Sequence, residues 1–214
     1  MKSYVITIMD MPESVKAAER CIASGADYGL DIKMWSAITP RDNPFKLLEE
    51  KNIPLEGFKE KYSRMERCVS AFLSHHSLWE EACRIDEDVL IFEHDAVVAG
   101  NISEFTPFKG ILSYGHPSYG AYNTPNAIGV GPLVSKKYLP GAHAYRINQM
   151  AANALIDTAK NFAKPTDVFI NNQFFPFIEE YYPWPVNVDD SFTTIQREEG
   201  CRAKHNWNKN YEII

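Results

Sequence analysis

The segment Val89-Leu90-Ile91-Phe92-Glu93-His94-Asp95-Ala96 limits the architecture more than any other part of the chain. Four consecutive apolar residues without polar alternation have the pattern of a strand covered on both faces, as in a largely parallel sheet. The run ends in two acids one position apart. A buried, unpaired carboxylate is costly, so acids at this point belong at an open end of the strand. The carboxyl end of such a strand is where open α/β sheets place ligands. Two oxygen donors on one short turn suit a hard divalent cation, and such a cation suits a diphosphate. A strand end followed by solvated acids fits the same residues.

The remaining elements supply an alternation. Tyr4 to Ile8 reads as a strand, and Pro12 to Ser24 as a helix with Pro12 in its first turn and Gly25 just past its end. Ile32 to Ile38 is a second strand, closed by Thr39-Pro40. Arg41 to Tyr62 carries Pro44, Pro54 and Gly57 and reads as a loop with short helical pieces. Arg64 to Arg84 is a helix: Met65, Val69, Phe72, His76, Trp79 and Cys83 share one face at spacings of four and three. Glu66, Ser70, Ser77, Glu81 and Arg84 fall on the other side. Gly110 to Tyr114 is a strand, and Tyr114 to Pro132 a long Gly-, Pro- and Tyr-rich loop over a site. His143 to Ile147 is a strand and Asn148 to Phe162 an Ala-rich helix. Alternating strands and helices predict an α/β sheet with helices on its faces. With no repeat and no low-complexity linker, residues 1–214 are expected to form one domain, with 197–214 a tail or lid.

At 214 residues, 45% hydrophobic and 23% charged, the composition is that of an ordinary globular protein. A net charge of −6 argues against a general nucleic-acid binder, which carries a basic face. No run approaches the roughly 18 apolar residues of a membrane span, and the first apolar stretch is too short for a signal peptide. Cys21, Cys68, Cys83 and Cys201 form no C-x-x-C pair and match no zinc spacing, so reduced thiols in a cytosolic protein are expected. The sequon Asn101-Ile102-Ser103 has meaning only in a secreted chain.

Three patches resemble glycosyltransferase family 25, the lipooligosaccharide and collagen galactosyltransferases. Cys68 to Trp79 is similar to that family's helix with a cysteine, then Ser-His, then tryptophan. Val89 to Val97 is similar to its strand ending in Glu-Asp-Asp. Gly141 to Ile147, the following helix and Pro165-Thr166-Asp167 are similar to its Gly-x-x-x-Tyr strand, helix and later aspartate. Order and spacing agree across roughly residues 4 to 195, and Pro185 and Ser191 also match. The resemblance implies a GT-A-type fold with a mostly parallel central sheet, a UDP-sugar donor with galactose favoured, Mn²⁺ or Mg²⁺, and inversion at the sugar carbon. The acceptor would be a glycan or lipid-linked glycan, and the protein cytoplasmic, with the inner membrane face as a place of peripheral association. A family member that binds a nucleotide sugar without turnover is the alternative.

The resemblance also assigns residues. Thr7, Ala37, Ser74, His75 and Glu93 would surround the donor, with Glu93, Asp95 and His205 toward the metal. Asp167 would be the base that takes the acceptor proton, although its position equally suits capping of a helix beginning near Val168. One departure stands out: His94 replaces the middle acid, either as a further ligand, which imidazole permits for Mn²⁺, or as a locally packed side chain. His76 lies within the apolar stripe and reads as a core histidine, whereas His75 lies at its edge. His143 is a further ligand candidate. Tyr114, His116, Tyr119, Tyr122 and Asn123 either stack on an acceptor sugar or form an ordinary surface loop. A two-His-one-carboxylate iron site is disfavoured, because such sites carry His-x-Asp and His94-Asp95 are adjacent.

Overall fold

The computed structural model describes residues 1–59, 63–117, 120–139, 141–189, 191–195 and 212–214. In chain order these form β1 (Lys2–Thr7), α1 (Pro12–Ala26), β2 (Ile32–Ser36), a 3₁₀ turn (Pro40–Asp42), α2 (Pro44–Glu50), a second 3₁₀ turn (Glu56–Phe58) and α3 (Met65–Ile85). There follow β3 (Val89–Glu93), β4 (Ala96–Val98), β5 (Ile111–Ser113), β6 (Gly129–Pro132), β7 (Ala144–Ile147), α4 (Gln149–Ala159) and α5 (Thr166–Phe169). The last elements are β8 (Ile178–Tyr182), β9 (Val186–Val188), β10 (Phe192–Thr193) and β11 (Glu212–Ile213).

Seven strands make one central sheet in the order β2-β1-β3-β7-β5-β8-β6, flanked by helices as the alternation predicts. The half around β1 is parallel on both sides, to β2 and to β3. The other half is mixed: β7 runs antiparallel to both β3 and β5, β8 is parallel to β5, and β6 is antiparallel to β8. The expectation of a mostly parallel sheet therefore describes the half that carries the acids. Because β7 is flanked by antiparallel neighbours on both sides, β3 and β5 point the same way, and the carboxyl ends of β1, β2, β3, β5 and β8 share one edge.

The uninterrupted apolar run of β3 follows from burial on both faces. Successive side chains alternate across a strand. Val89 and Ile91 join the core beneath α3 and α4, with Phe72, Trp79, Tyr145 and Phe169. Leu90 and Phe92 join the core beneath α1, with Ala18, Cys21 and Leu112. The α3 stripe predicted from spacing packs as expected. The Phe72 ring is its centre, meeting Phe58, Trp79 and Phe169 edge-on at centroid distances of 5.2, 5.5 and 5.3 Å. Truncating such a residue to alanine costs about 3–5 kcal/mol. The helix stops at Asp86, whose φ of 53° is left-handed.

Gly25 departs from its expected role. It lies inside α1, not beyond it, and a Cβ there would meet Ile32 Cδ1 at 2.4 Å. The glycine answers the close approach of β2 rather than a helix terminus. Asn148 caps α4, its side chain accepting from Ala151 N at 2.9 Å. Cys21 and Cys83 are free thiols. Among the described residues no helix is long and apolar enough to cross a membrane.

Candidate functional site

A cleft of about 340 Å³ opens at the carboxyl ends of β1, β2 and β3. The parallel register sets this up by bringing Thr7 beside Ser36 and Ile6 beside Glu93, so the three strands end together. Glu93, His94 and Asp95 form its floor. Residues 37–41 leaving β2 form one wall, and Phe192 to Ile195 cover another side. The third wall is α3, through Arg67, Ser70, Ala71, Ser74 and His75. On a helix, Arg67, Ser70 or Ala71, and Ser74 follow spacings of three and four and share one face. The small side chains of Ser70, Ala71 and Ser74 leave the space that the apolar stripe next to them fills with core. Ser74 also ties the walls together: its Oγ accepts from Ile38 N at 2.9 Å and donates to Ser70 O at 2.8 Å.

A hydrogen-bonded chain runs from the core to the floor of this cleft. Trp79 Nε1 donates to Tyr145 Oη at 2.9 Å, Tyr145 Oη lies 2.9 Å from His75 Nδ1, and His75 Nε2 lies 3.1 Å from Glu93 Oε1. Burial pushes the Tyr145 phenol far above its usual range, so it keeps its proton. Having accepted from Trp79, the hydroxyl donates that proton to His75 Nδ1. The neutral imidazole then carries hydrogen on Nε2 and donates it to the carboxylate. Burial alone would push the Glu93 carboxyl up. The hydrogen bond donated by His75 outweighs it and holds the group below its ordinary value. Glu93 is therefore anionic near neutral pH, with its side chain 37% exposed to the cleft.

His94 is engaged differently. Its Nδ1 lies 2.8 Å from Ser14 Oγ, which itself accepts from Ile8 N at 2.9 Å. Ser14 is fully buried in the first turn of α1. This hydrogen bond occupies Nδ1 and fixes the plane of the ring. The ring stacks on Phe192 at 5.3 Å. Burial holds its pKa below the ordinary value, with Arg20 acting in the same direction and Glu93 opposing. The middle position of the motif is thus a neutral imidazole packed into the fold. Asp95 completes the floor, its backbone oxygen accepting from Asp189 N at 2.8 Å.

Two arginines face this acidic floor. Arg41 pairs with Asp10 at the rim. Arg67 Nη1 donates to Thr194 O at 3.0 Å and to Ile214 O, which Arg64 Nη1 also reaches at 2.9 Å. Strand β11 is held beside β10 by this clamp and by their parallel pairing.

Of the residues assigned from the resemblance, Ala37, Ser74, His75, Glu93 and Asp95 line one cleft. Thr7 does not. It is fully buried, its hydroxyl donates to Val5 O at 3.0 Å, and its backbone oxygen accepts from Ala37 N at 2.8 Å; Ile6 and Ile8 beside it line the cleft instead. Asp167 lies on α5, away from the cleft lining, with Oδ1 accepting from Val168 N at 2.9 Å. His205 lies outside the described residues, as do Tyr119, Cys201 and the basic residues Arg197, Arg202, Lys204 and Lys209. His76 is a core histidine as read, packed on Phe72 and Trp79. His143 is buried, and its carbonyl accepts from Glu93 N at 3.1 Å. Arg67, Ser70 and the Phe192–Ile195 cover were not anticipated. The spacing of Arg67, Ser70 and Ser74 on α3 is the signal that marks the first two.

No protein-family model matches the chain, and no curated protein matches it in sequence. The likeness to glycosyltransferase family 25 thus rests on the three sequence patches alone. Among solved structures the chain is similar to the CTP:phosphocholine cytidylyltransferase of Streptococcus pneumoniae, with a TM-score of 0.40 at 10% identity over 86% of this chain and 91% of that one. It is also similar to a glucose-1-phosphate thymidylyltransferase of Bacillus anthracis, with a TM-score of 0.36 at 13% identity over 87% of this chain and 67% of that one.

Proposed function

We propose that the cleft binds a nucleotide sugar and that the chain is a glycosyltransferase, moving a sugar, with galactose favoured, from a UDP donor to a hydroxyl of a glycan or lipid-linked acceptor with inversion. It would act in the cytoplasm as one domain. The observation that carries this reading is the position of Glu93 and Asp95. Both carboxylates sit at the carboxyl end of β3, in a cleft whose α3 wall is kept open by Ser70, Ala71 and Ser74. In open α/β sheets that is where ligands bind.

The donor set fits a hard cation. Among the described residues no three His, Cys, Asp or Glu side chains are grouped as metal ligands. Cations of the magnesium type, however, are commonly held by one or two carboxylates, with phosphate and water completing the shell. Asp95 is the residue proposed for Mn²⁺ or Mg²⁺, with Glu93 beside it. The cation would supply charge neutralisation for the departing diphosphate. Glu93, locked by His75, would orient the donor, and Arg41 and Arg67 would balance its negative charge. Asp167 remains the proposed base.

A second reading has its own support. His94 brings no negative charge and its Nδ1 is taken by Ser14, so the motif holds two acids instead of three. A binder without turnover follows if that charge is required.

Melting the protein with a panel of UDP-sugars, with and without Mn²⁺, tests the proposal. At about one hundred times Kd a bound donor adds about 2.7 kcal/mol, which at this size raises Tm by roughly 5–10 °C. Asp95→Ala should abolish the shift. UDP release from the stabilising donor, lost in Asp167→Asn, separates the transferase from the binder. If no nucleotide sugar moves the melt, both readings fail.

A further inference from the structure

The same sheet edge carries a second group of side chains, at the ends of β5 and β8. His116, two residues beyond the strand partner Tyr114, and the segment Tyr182 to Trp184 bring together four rings, the fourth from Tyr122. Trp184 is the hub: its centroid lies 5.1 Å from His116, 5.7 Å from Tyr122 and 5.0 Å from Tyr182. Tyr122 Oη is 3.3 Å from His116 Nε2. Tyr122 is 40% exposed, and the other three rings are partly exposed.

Beneath this cluster sits a buried acid with an unusual set of partners. Glu180 is 1% exposed, and the hydrogen bonds to its carboxylate come from N–H groups: Val134 N at 2.7 Å and Ser135 N at 2.8 Å on Oε1, and Trp184 Nε1 at 3.0 Å on Oε2. Burying a carboxylate is costly even when it is hydrogen-bonded. What this one accomplishes is positional. It fixes the indole by its only polar atom. It also fixes residues 134 and 135, whose carbonyls hold Asn123 and so the Tyr122 loop, through Asn123 Nδ2 to Val134 O at 3.1 Å and Asn123 N to Ser135 O at 3.0 Å. One carboxylate thus preorganises both sides of the aromatic group.

The cluster is continuous with the cleft. From β3 to β5 is two strand spacings, about 10 Å, and to β8 three, about 14 Å. His143 lies between, its carbonyl accepting from Glu93 N. A Cβ on Gly115 would meet its Nε2 at 2.4 Å, so only glycine lets the His116 turn pack there.

We propose that this cluster is a carbohydrate-binding surface, with Trp184 and Tyr122 receiving a pyranose ring and Glu180 as the positioning residue for Trp184. The C–H face of a pyranose is slightly positive and packs on the negative face of an aromatic ring. Its hydroxyls meet polar tips at the rim, the Tyr122 hydroxyl and the His116 imidazole. The buried acid beneath and the overall charge of −6 disfavour an anionic ligand. That the bound sugar is the acceptor rests on the function proposed above; that the surface binds a sugar does not.

Protein carrying ¹⁵N-labelled tryptophan tests this without donor or metal. Methyl β-D-galactopyranoside, methyl β-D-glucopyranoside and lactose are titrated against the indole N–H signals. The Trp184 signal should move saturably, in roughly the millimolar range, while buried Trp79 stays still. Saturation transfer to the sugar should fall about tenfold or more in Trp184→Ala, whereas the UDP-sugar melting shift should be retained. Glu180→Gln sets an amide NH2, itself a donor, against at least one of the three N–H groups. It should displace the Trp184 signal before any sugar is added and weaken the titration; if that variant does not fold, Trp184→Ala decides. The proposal is overturned if none of the three sugars moves Trp184, if transfer persists undiminished in Trp184→Ala, or if uridine moves the signal and the pyranosides do not. A donor shift that fails while the Trp184 titration succeeds would sink the transferase reading alone.

Discussion

Tyr145→Phe removes one oxygen from the middle of the chain that joins core to cleft. Trp79 and Tyr145 are fully buried and His75 is 1% exposed, so water cannot replace the lost hydroxyl. The Trp79 N–H and the His75 Nδ1 lone pair are each left without their partner, at about 1–3 kcal/mol apiece and about 2–6 kcal/mol together. That is a large part of the roughly 5–15 kcal/mol that holds a typical domain folded. Urea unfolding should show the loss as a lower midpoint with an unchanged slope. A second effect follows from position. Without the Tyr145 hydroxyl at Nδ1 the His75 ring loses the bond that fixes its plane, the hydrogen bond from Nε2 to Glu93 weakens, and the carboxyl is released upward. In the wild type that carboxyl lies below its ordinary 4.5. Its ionisation therefore stabilises the fold above that pH, and the contribution is lost as pH falls through the depressed folded value. The gap between wild type and Tyr145→Phe should accordingly narrow below pH 4.5. A loss under about 1 kcal/mol near neutral pH, or a gap that stays constant into acid, refutes the argument.

Asp88→Ala leaves the Arg146 guanidinium, 6% exposed, without its carboxylate but with the carbonyls of Ser103, Glu104 and Thr106; a loss of about 3 kcal/mol is expected by chemical denaturation. Glu80 is held at about 2, first by His76 and then by Lys51 against the effect of burial. Its stabilisation is present above 4.5 and lost as pH falls toward 2, so Glu80→Gln should flatten that stretch of the stability curve, by under about 1 kcal/mol because the side chain is half exposed. Burial, followed by Asp95, pushes the Cys21 thiol up to about 12; peptide mapping after brief iodoacetamide treatment should find Cys83 alkylated and Cys21 untouched until the protein unfolds, and equal labelling would contradict the packing described. Ser14→Ala strips the acceptor from Ile8 N and the hydrogen-bond partner from His94 Nδ1, which should cost about 1–3 kcal/mol and move the His94 ring resonances.

The parts of this architecture that were legible in sequence are those with one dominant period or punctuation. The α3 stripe repeats over six turns, and the β3 run has no polar interruption. Strand β8 is not legible in the sequence, because Glu179 and Glu180 interrupt the apolar pattern of a buried strand. Both are buried and satisfied by N–H groups that only the fold brings to them. The two-stranded pairing of β4 with β9 joins segments about ninety residues apart, too short and too distant for local pattern. At the site, Ser74 and His75, to which the resemblance pointed, and Glu93 and Asp95, to which the strand end pointed, line one cleft. Thr7 does not line it, because side chains alternate along a strand and its neighbours Ile6 and Ile8 do. Asp167 had no element long enough to fix its direction.

The chain from Trp79 through Tyr145 and His75 makes the floor acid answerable to the aromatic core, while on the wall leaving β2 the residues beyond Ile38 lie outside that core. Variation in specificity should therefore accumulate unevenly. Changes at residues 39–41 alter what the cleft accepts with little effect on packing, whereas changes near Glu93 must carry compensating changes beneath α3. A library directed at new donors belongs on the β2 side. Stability screens of this fold should return, unasked, variants of α3 and β7 that alter the acidity of Glu93.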